Sequence, residues 1–336
     1  MHEHARTLQR LHADSPIEAL THTPAQEGAA ESQPRGLVLA VVGSKGSPGA
    51  SECAWSLAAL AARRWPTLLV ECDLLGGSLA FRLAADPAAG SLVGVVNAAT
   101  SNSVSALPEL LQRWLCGSDG WPPTLLAPTV AQAAERPLTA EGLVAAVQAL
   151  ADLFALVVVD VGWLLDPECN VGRCHAAILE LADAQLLVAG SRGSQLVAAR
   201  SQLEQLLERL GLPAARLRIV LNATGSGGAA ERLERARFEQ DLAGYGLAVD
   251  GVLPVDEGGI ARASRRGLPL ALARRRSGYR RALEQLLEQL FVGSPPQRRL
   301  QRARLQLPPA RTAQTAVALA VGADGEEEVV LPWASR

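Results

Sequence analysis

Leu37-Val38-Leu39-Ala40-Val41-Val42-Gly43-Ser44-Lys45-Gly46-Ser47-Pro48-Gly49-Ala50-Ser51 is the stretch whose reading decides the architecture. Its first six residues form a short, continuous apolar run, the pattern of a strand buried on both faces. Glycines, serines and a proline then break the run, and an Ala-, Leu- and Trp55-containing helical pattern continues to about Arg64. Ser51 is placed to cap that helix. Strand, glycine loop and helix in this order aim backbone N–H groups and the positive end of a helix at an anion. Of 32 lysines and arginines in the chain, Lys45 is the one lysine, and it sits inside this loop. Lysine carries a compact charge on a flexible stem, which suits close approach to a phosphate better than the bulky planar guanidinium.

The usual phosphate-binding loop reads G-x-x-x-x-G-K-[ST]. Here the frame runs from Ser44 to Ser51, and Ala50 stands where the lysine is expected. Ser51 is retained, with a hydroxyl suited to ligating Mg²⁺. Against that pattern alone the loop is broken. It resembles instead the deviant loop of the MinD/ParA family, x-K-G-G-x-G-K-[ST], which carries an extra lysine near its start. Lys45, Gly46, Gly49 and Ser51 match that form, while Ser47 and Ala50 depart from it. Losses of this kind occur in the CpaE/TadZ-like branch, whose members help localise pilus machinery. The resemblance implies a P-loop NTPase fold. It also implies that Gly43, Lys45, Gly46, Ser47, Gly49, Ala50 and Ser51 surround the phosphates of ATP, with Lys45 reaching the nucleotide of a partner across a homodimer interface.

Further segments follow in the family's order between about residues 36 and 292. Thr67-Leu68-Leu69-Val70-Glu71-Cys72-Asp73 followed by Gly76-Gly77 is similar to D-x-D-x-x-x-G, and the resemblance makes Asp73 the acid that positions the attacking water. Ala155-Leu156-Val157-Val158-Val159-Asp160 is a buried strand ending in an acid, the Walker B pattern whose aspartate steadies Mg²⁺ with Ser51. Leu217-Arg218-Ile219-Val220-Leu221-Asn222 resembles the strand whose asparagine reads adenine. Gly251-Val252-Leu253-Pro254-Val255-Asp256, with Ala263 and Gly267-Leu268-Pro269 beyond, resembles the closing I-P-x-D…A…G-x-P stretch and adds Pro254 to the nucleotide site. Taken from the residues alone, alternatives remain open. An acid at a strand's end is also an ordinary turn residue, and Asn222 is also an ordinary turn former. Guanine recognition is set aside, because [NT]-K-x-D needs a lysine outside the phosphate loop and the chain has none.

Composition narrows the function classes. The 336 residues, 49% hydrophobic, suffice for one large α/β core with tails. A formal net charge of −2 supplies no global field for nucleic acid. Cys53, Cys72, Cys116, Cys169 and Cys174 are scattered through the core pattern, which suits a reducing, cytoplasmic setting. Cys169, Cys174 and His175 form C-x4-C-H, which lacks a fourth ligand and matches no zinc spacing. The polar start Met1-His2-Glu3-His4 leads into no apolar core, so no signal peptide is read. The long apolar stretch Leu143 to Leu165 contains Gln148, Asp152 and Asp160, and each central aspartate would cost about 2.5–3.5 kcal/mol in a bilayer. A helix to about Phe154 followed by the Walker B strand explains it better.

The domain organisation expected is therefore a disordered polar tail over 1–34, a nucleotide-binding domain over 35–292, and a Pro/Arg-rich linker with a possible β-hairpin over 293–336. Within the domain, short apolar strands alternate with helical patterns at Leu196–Leu210, Glu231–Leu242 and Tyr279–Phe291. That alternation predicts an α/β class, a doubly wound, mostly parallel sheet with helices on both faces. The arginines 262, 265, 266, 274, 275, 276, 280 and 281 cluster near its end. They are a candidate surface for non-specific DNA, or a solvated face in an arginine-biased chain. The run Arg298–Arg304 is the weaker candidate for peripheral membrane attachment, since Leu300, Leu305 and Leu307 form no clean helical stripe.

Overall fold

The fold was taken from a computed structural model, which describes residues 35–46, 48–83, 92–101, 103–115, 123–128, 137–223, 228–291, 319–321 and 327–329. The expectations for the 1–34 tail, for Ser47 and for the basic run Arg298–Arg304 lie outside the described residues.

The elements follow the alternation read from the sequence. β1 (Leu37–Gly43), α1 (Ala50–Ala61), β2 (Thr67–Cys72), α2 (Leu79–Arg82), α3 (Leu92–Thr100), α4 (Leu107–Trp114) and β3 (Thr124–Leu125) come first. α5 (Ala140–Ala151), β4 (Leu156–Val161), α6 (Asn170–Leu181), β5 (Ala184–Gly190), α7 (Gly193–Glu204) and β6 (Leu217–Asn222) come next. α8 (Ala229–Gly244), β7 (Gly251–Leu253), α9 (Glu257–Arg266), α10 (Leu270–Ala273) and α11 (Gly278–Leu290) close the series. β8 (Leu319–Val321) and β9 (Glu327–Val329) pair antiparallel with each other.

β1 to β7 form one sheet in the order β3-β2-β4-β1-β5-β6-β7, and its described pairings are all parallel. The α/β class and the helices on both faces are as expected, with a sheet that is parallel throughout rather than mostly so. Both faces of β1 are covered. Val38, Ala40 and Val42 join one core with residues of α3, α5, α6, α7 and α8, while Leu39 and Val41 join another with α1, α10 and α11. Alternation along a strand puts successive side chains on opposite faces, so an uninterrupted apolar run is what two helix layers require. On the α1 side Leu57 is fully buried, a burial that stabilises by roughly 1.5–3 kcal/mol.

The Leu143–Leu165 stretch resolves into α5 and β4. Thr139 caps α5 by accepting from the Gly142 amide at 3.1 Å. Among the described residues no helix is long and apolar enough to cross a membrane. The helix expected over Leu196–Leu210 begins earlier, as α7, and finishes as a π turn over Gln205–Arg209.

The topology fixes where a ligand goes. Connections leave β1 toward β2 and β4 on one side and return to β5 on the other, so the strand order reverses beside β1. In open parallel sheets that reversal opens a crevice at the carboxyl ends of the strands.

Candidate functional site

Gly43 ends β1, and the loop that follows turns back to start α1 at Ala50. Two glycines carry the turn, Gly46 with φ 103° and Gly49 with φ 90°. Gly49 is doubly constrained. Besides its left-handed backbone, a Cβ there would lie 2.5 Å from the Asn222 amide nitrogen. Gly49 occupies the N-cap position of α1, where Ser51 was expected. Ser51 lies inside the first turn instead, and its hydroxyl hydrogen-bonds the Asp160 carboxyl. The first N–H groups of α1 thus face the loop at the positive end of the helix, as the sequence reading required.

Neighbouring elements grip the loop from outside. Asn222, at the end of β6, donates its amide to the Pro48 carbonyl at 2.9 Å. Gln195, in the first turn of α7, donates to the Gly46 carbonyl at 3.3 Å. Ser44 is buried, and its hydroxyl has no hydrogen-bond partner among the described residues. Lys45 is exposed and its ammonium lies 5.6 Å from the centre of the Trp163 ring, within the range of a cation–π contact. Ala50 places a methyl group where a loop lysine would project.

The acids come together at the ends of adjacent strands. Asp160 on β4 is in register with Val41 on β1 and Glu71 on β2. It is 1% exposed, and one of its two oxygens, Oδ2, has no hydrogen-bond partner among the described residues. Burial pushes its carboxyl up to about 8 against the pull of the Ser51 hydroxyl, with Glu71 and Asp73 adding to the rise and Arg82 opposing it. Glu71 is itself buried and accepts from the backbone amides of Leu79 at 2.7 Å and Ala127 at 3.2 Å. Its carboxylate therefore staples the turn after β2 to the segment after β3, and burial raises its pKa. Asp73 is partly exposed one residue beyond β2, and its Oδ1 accepts from the Leu75 amide at 3.2 Å.

Arg82, on α2, is the positive charge acting on Asp160, and Glu52 of α1 holds it in an ion pair. Glu52 also accepts from Leu270 at 2.7 Å and from Ser56 at 2.9 Å, tying α1 to the start of α10. Pro254, just past β7, is exposed and lies against Gly278, so it stands on the rim beyond the β6 end rather than in the loop's immediate shell.

Sequence reasoning did not single out Trp163, Gln195 or Arg82, and it met His175 only as a possible metal ligand. The cysteines near His175 do local work: Cys169 Sγ caps α6 by accepting from the Gly172 amide at 3.2 Å, and Cys174 is buried beside the Leu138 carbonyl. Among the described residues no group of three His, Cys, Asp or Glu side chains is arranged to hold a metal by itself. Mg²⁺ does not need one, because it characteristically takes one or two protein ligands and completes its shell with phosphate oxygens and water. A buried carboxylate oxygen without a partner, beside a hydroxyl at a helix N-terminus, fits that donor set.

Comparison with known proteins agrees with this geometry at the level of the fold. No family model matches the chain, and no curated protein matches it in sequence. Solved structures do. A ParA family ATPase from Chlorobium tepidum TLS superposes with a TM-score of 0.60 at 21% identity, covering 75% of this chain and 98% of that one. The septum site-determining protein MinD complexed with Mg-ADP from Pyrococcus horikoshii OT3 gives 0.52 at 17% identity, over 76% of this chain and 95% of that one. The ATP complex of a single-substitution variant of McdA from Cyanothece gives 0.55 at 16% identity, over 77% and 97%. The chain has the fold of the ParA and MinD ATPases.

Proposed function

We propose that this chain is a nucleotide-dependent localisation or partitioning protein that binds ATP with Mg²⁺ at the 43–51 loop, pairs with a second copy, and turns ATP over slowly or not at all. The observation that carries the reading is the unpartnered, buried Asp160 oxygen, set beside the Ser51 hydroxyl at the end of a glycine loop in this fold. The fold is shared with a MinD complexed with Mg-ADP and with the ATP complex of a variant McdA, which supports the same choice of ligand.

In this reading the backbone amides from Gly46 to Ser51 cradle the phosphates. Ser51 and Asp160 are the residues that would hold Mg²⁺, whose charge when bound offsets that of the terminal phosphates. Asp73, at the rim of the same strand ends, orients water. Lys45, exposed at the mouth of the loop, completes the site of a second copy as an electrostatic clamp. Asn222 and Pro254 line the adenine side, with the Asn222 carbonyl oxygen as the group facing the base, since its amide nitrogen holds Pro48.

Ala50 supports a second reading, a catalytically inactive scaffold of the CpaE/TadZ-like kind that localises a pilus, secretion or chromosome-associated partner. A charge that normally stabilises the transferring phosphoryl group is missing there. The exposed arginines of α9 and of the segment after α10 are a candidate docking surface for DNA or a solvated face; Arg274 is held by Asp256 and Arg280, on α11, by Glu284. The free, buried cysteines Cys53, Cys72 and Cys174 suit a cytoplasmic setting.

Calorimetric titration with Mg·ATP beside single-turnover hydrolysis on the same preparation separates the readings. Binding with slow hydrolysis supports the first, binding without hydrolysis supports the scaffold, and no binding refutes nucleotide dependence altogether.

A further inference from the structure

We propose that His175 is a positioning residue that fixes the Asp73 turn against the turn after β4, an assignment that rests on the nucleotide reading above. Asp73 belongs to the turn after β2, and Gly162, Trp163 and Leu164 to the turn after β4. The two strands are neighbours, with Cys72 opposite Val161, so these turns emerge side by side at the crevice. His175 enters from α6 beneath both, and its ring is fully buried.

Each ring nitrogen meets a different turn. Nδ1 lies 2.8 Å from the Leu164 carbonyl oxygen. A carbonyl only accepts, so Nδ1 carries the proton. In a neutral imidazole the other nitrogen is then an acceptor. Nε2 meets the backbone amide of Leu74, which donates to it at 3.4 Å. The ring is thus a two-ended tie, donating to one turn and accepting from the other. Burial holds its pKa below the ordinary histidine value, which keeps the accepting form. The groups facing it are the Leu164 and Cys72 carbonyls and the Asp73 carboxylate, and all three pull the other way.

Gly162 shows how close the approach is. A Cβ built there would lie 2.5 Å from His175 Cε1, 3.0 Å from Nε2 and 2.7 Å from Asp73 Oδ1. Only a residue without a side chain lets the imidazole and the carboxylate share that space. The second turn is anchored further by Gln202, which donates to the Trp163 carbonyl at 3.1 Å, and Trp163 carries the Lys45 ammonium on its ring. His175 therefore links the acid proposed to orient water with the turn on which the loop lysine rests.

Two substitutions in the full chain divide the tie. In His175→Asn the shorter amide reaches Leu164 but not Leu74, whereas in His175→Gln the longer one reaches the Nε2 position and keeps an acceptor for Leu74. Hydrogen exchange is read at the Leu74 amide in the free protein and across 73–78 with Mg·ATP, beside calorimetric affinity for Mg·ATP. The expected result is exchange at Leu74 about tenfold faster in His175→Asn and close to wild type in His175→Gln. With Mg·ATP, protection of 73–78 falls in the Asn variant while affinity stays within about twofold of wild type. Wild-type exchange in both variants, or weakened affinity with unchanged exchange, overturns the assignment. A wild-type chain that does not bind Mg·ATP overturns the nucleotide reading itself, a failure visible before either variant is made.

Discussion

Binding of Mg·ATP should expel a proton from Asp160. In the free protein burial raises this carboxyl to about 8, so at neutral pH its neutral form dominates. A metal ligand must be ionised. From a pKa of about 8, roughly 0.9 proton leaves on binding at pH 7 and roughly 0.1 at pH 9, and the affinity for Mg·ATP rises nearly tenfold per pH unit below that range. The stability linkage runs in the matching direction. A carboxyl whose folded pKa lies above its unfolded value is best tolerated at low pH, and the metal-free fold loses stability as pH rises from about 4 toward 8, by roughly 1.4 kcal/mol per unit for this group alone. Calorimetry at pH 7 in buffers of different ionisation enthalpy measures the proton count, with Mg²⁺ saturating so that the nucleotide's own titration does not contribute. Asp160→Asn should abolish the proton release, lose the Mg²⁺ dependence of nucleotide binding, and remove the corresponding slope in denaturant midpoint between pH 5 and 8. Heats independent of buffer for the wild type at pH 7 would show that Asp160 is already ionised or does not meet the metal. The site would then have been misplaced.

Lys45→Ala should lower the ATP-dependent dimer fraction by light scattering while leaving monomer nucleotide affinity within about threefold, since the ammonium points out of its own loop toward Trp163; equal dimer fractions refute the assignment. Ala50→Lys should raise turnover or affinity by about tenfold, equivalent to about 1.4 kcal/mol for one added charge contact, and no change in either would refute a loop poised for that charge. Gly49→Ala forces a strained backbone and displaces Asn222 from Pro48, so chemical denaturation should show a loss of about 1–3 kcal/mol. An unchanged midpoint would mean that the loop is held differently.

How much of this was legible in the sequence depended on whether a feature was local. β1 and its loop were readable because a buried parallel strand must be apolar on both faces and the turn after it must contain glycine. β4 and β6 were readable from their apolar runs and the polar residue at or next to the carboxyl end of each, although Arg218 interrupts β6 near its start. β5 was not singled out, because it ends in Ala189-Gly190 with no polar residue to mark a motif, and Gln185 interrupts its apolar run. The interruption is only apparent, since Gln185 donates to the Leu179 and Ala182 carbonyls at 2.8 and 3.2 Å and so closes the end of α6. β3, two residues long, carries too little pattern to be read at all. In the candidate site, Asp160 and Ser51 were recognisable one strand and one turn at a time. That Glu71 would serve as a staple rather than as a second free acid was not, because its partners are backbone amides of Leu79 and Ala127, which no side-chain pattern encodes. Trp163 and His175 were hidden for the same cause, since their contacts join segments far apart in the chain.

Those long-range contacts bear on what the loss at Ala50 means. A loop that simply decays has no reason to keep its surroundings, yet here the loop is held at Gly46 by Gln195 and at Pro48 by Asn222. The acids beside it remain buried at a cost, with Asp160 raised by desolvation and by its neighbours Glu71 and Asp73. Buried carboxylates of like sign are unfavourable unless a cation joins them. Arg82 offsets part of that charge, but it is engaged by Glu52. In the free protein a proton held on Asp160 relieves that repulsion, and an arriving cation would displace it. In the proposed reading, with no lysine at position 50, that cation is the metal accompanying the nucleotide, joined at the loop's mouth by Lys45 of a second copy. Under that reading the site holds phosphate only with metal and partner together, which suits sensing nucleotide better than consuming it.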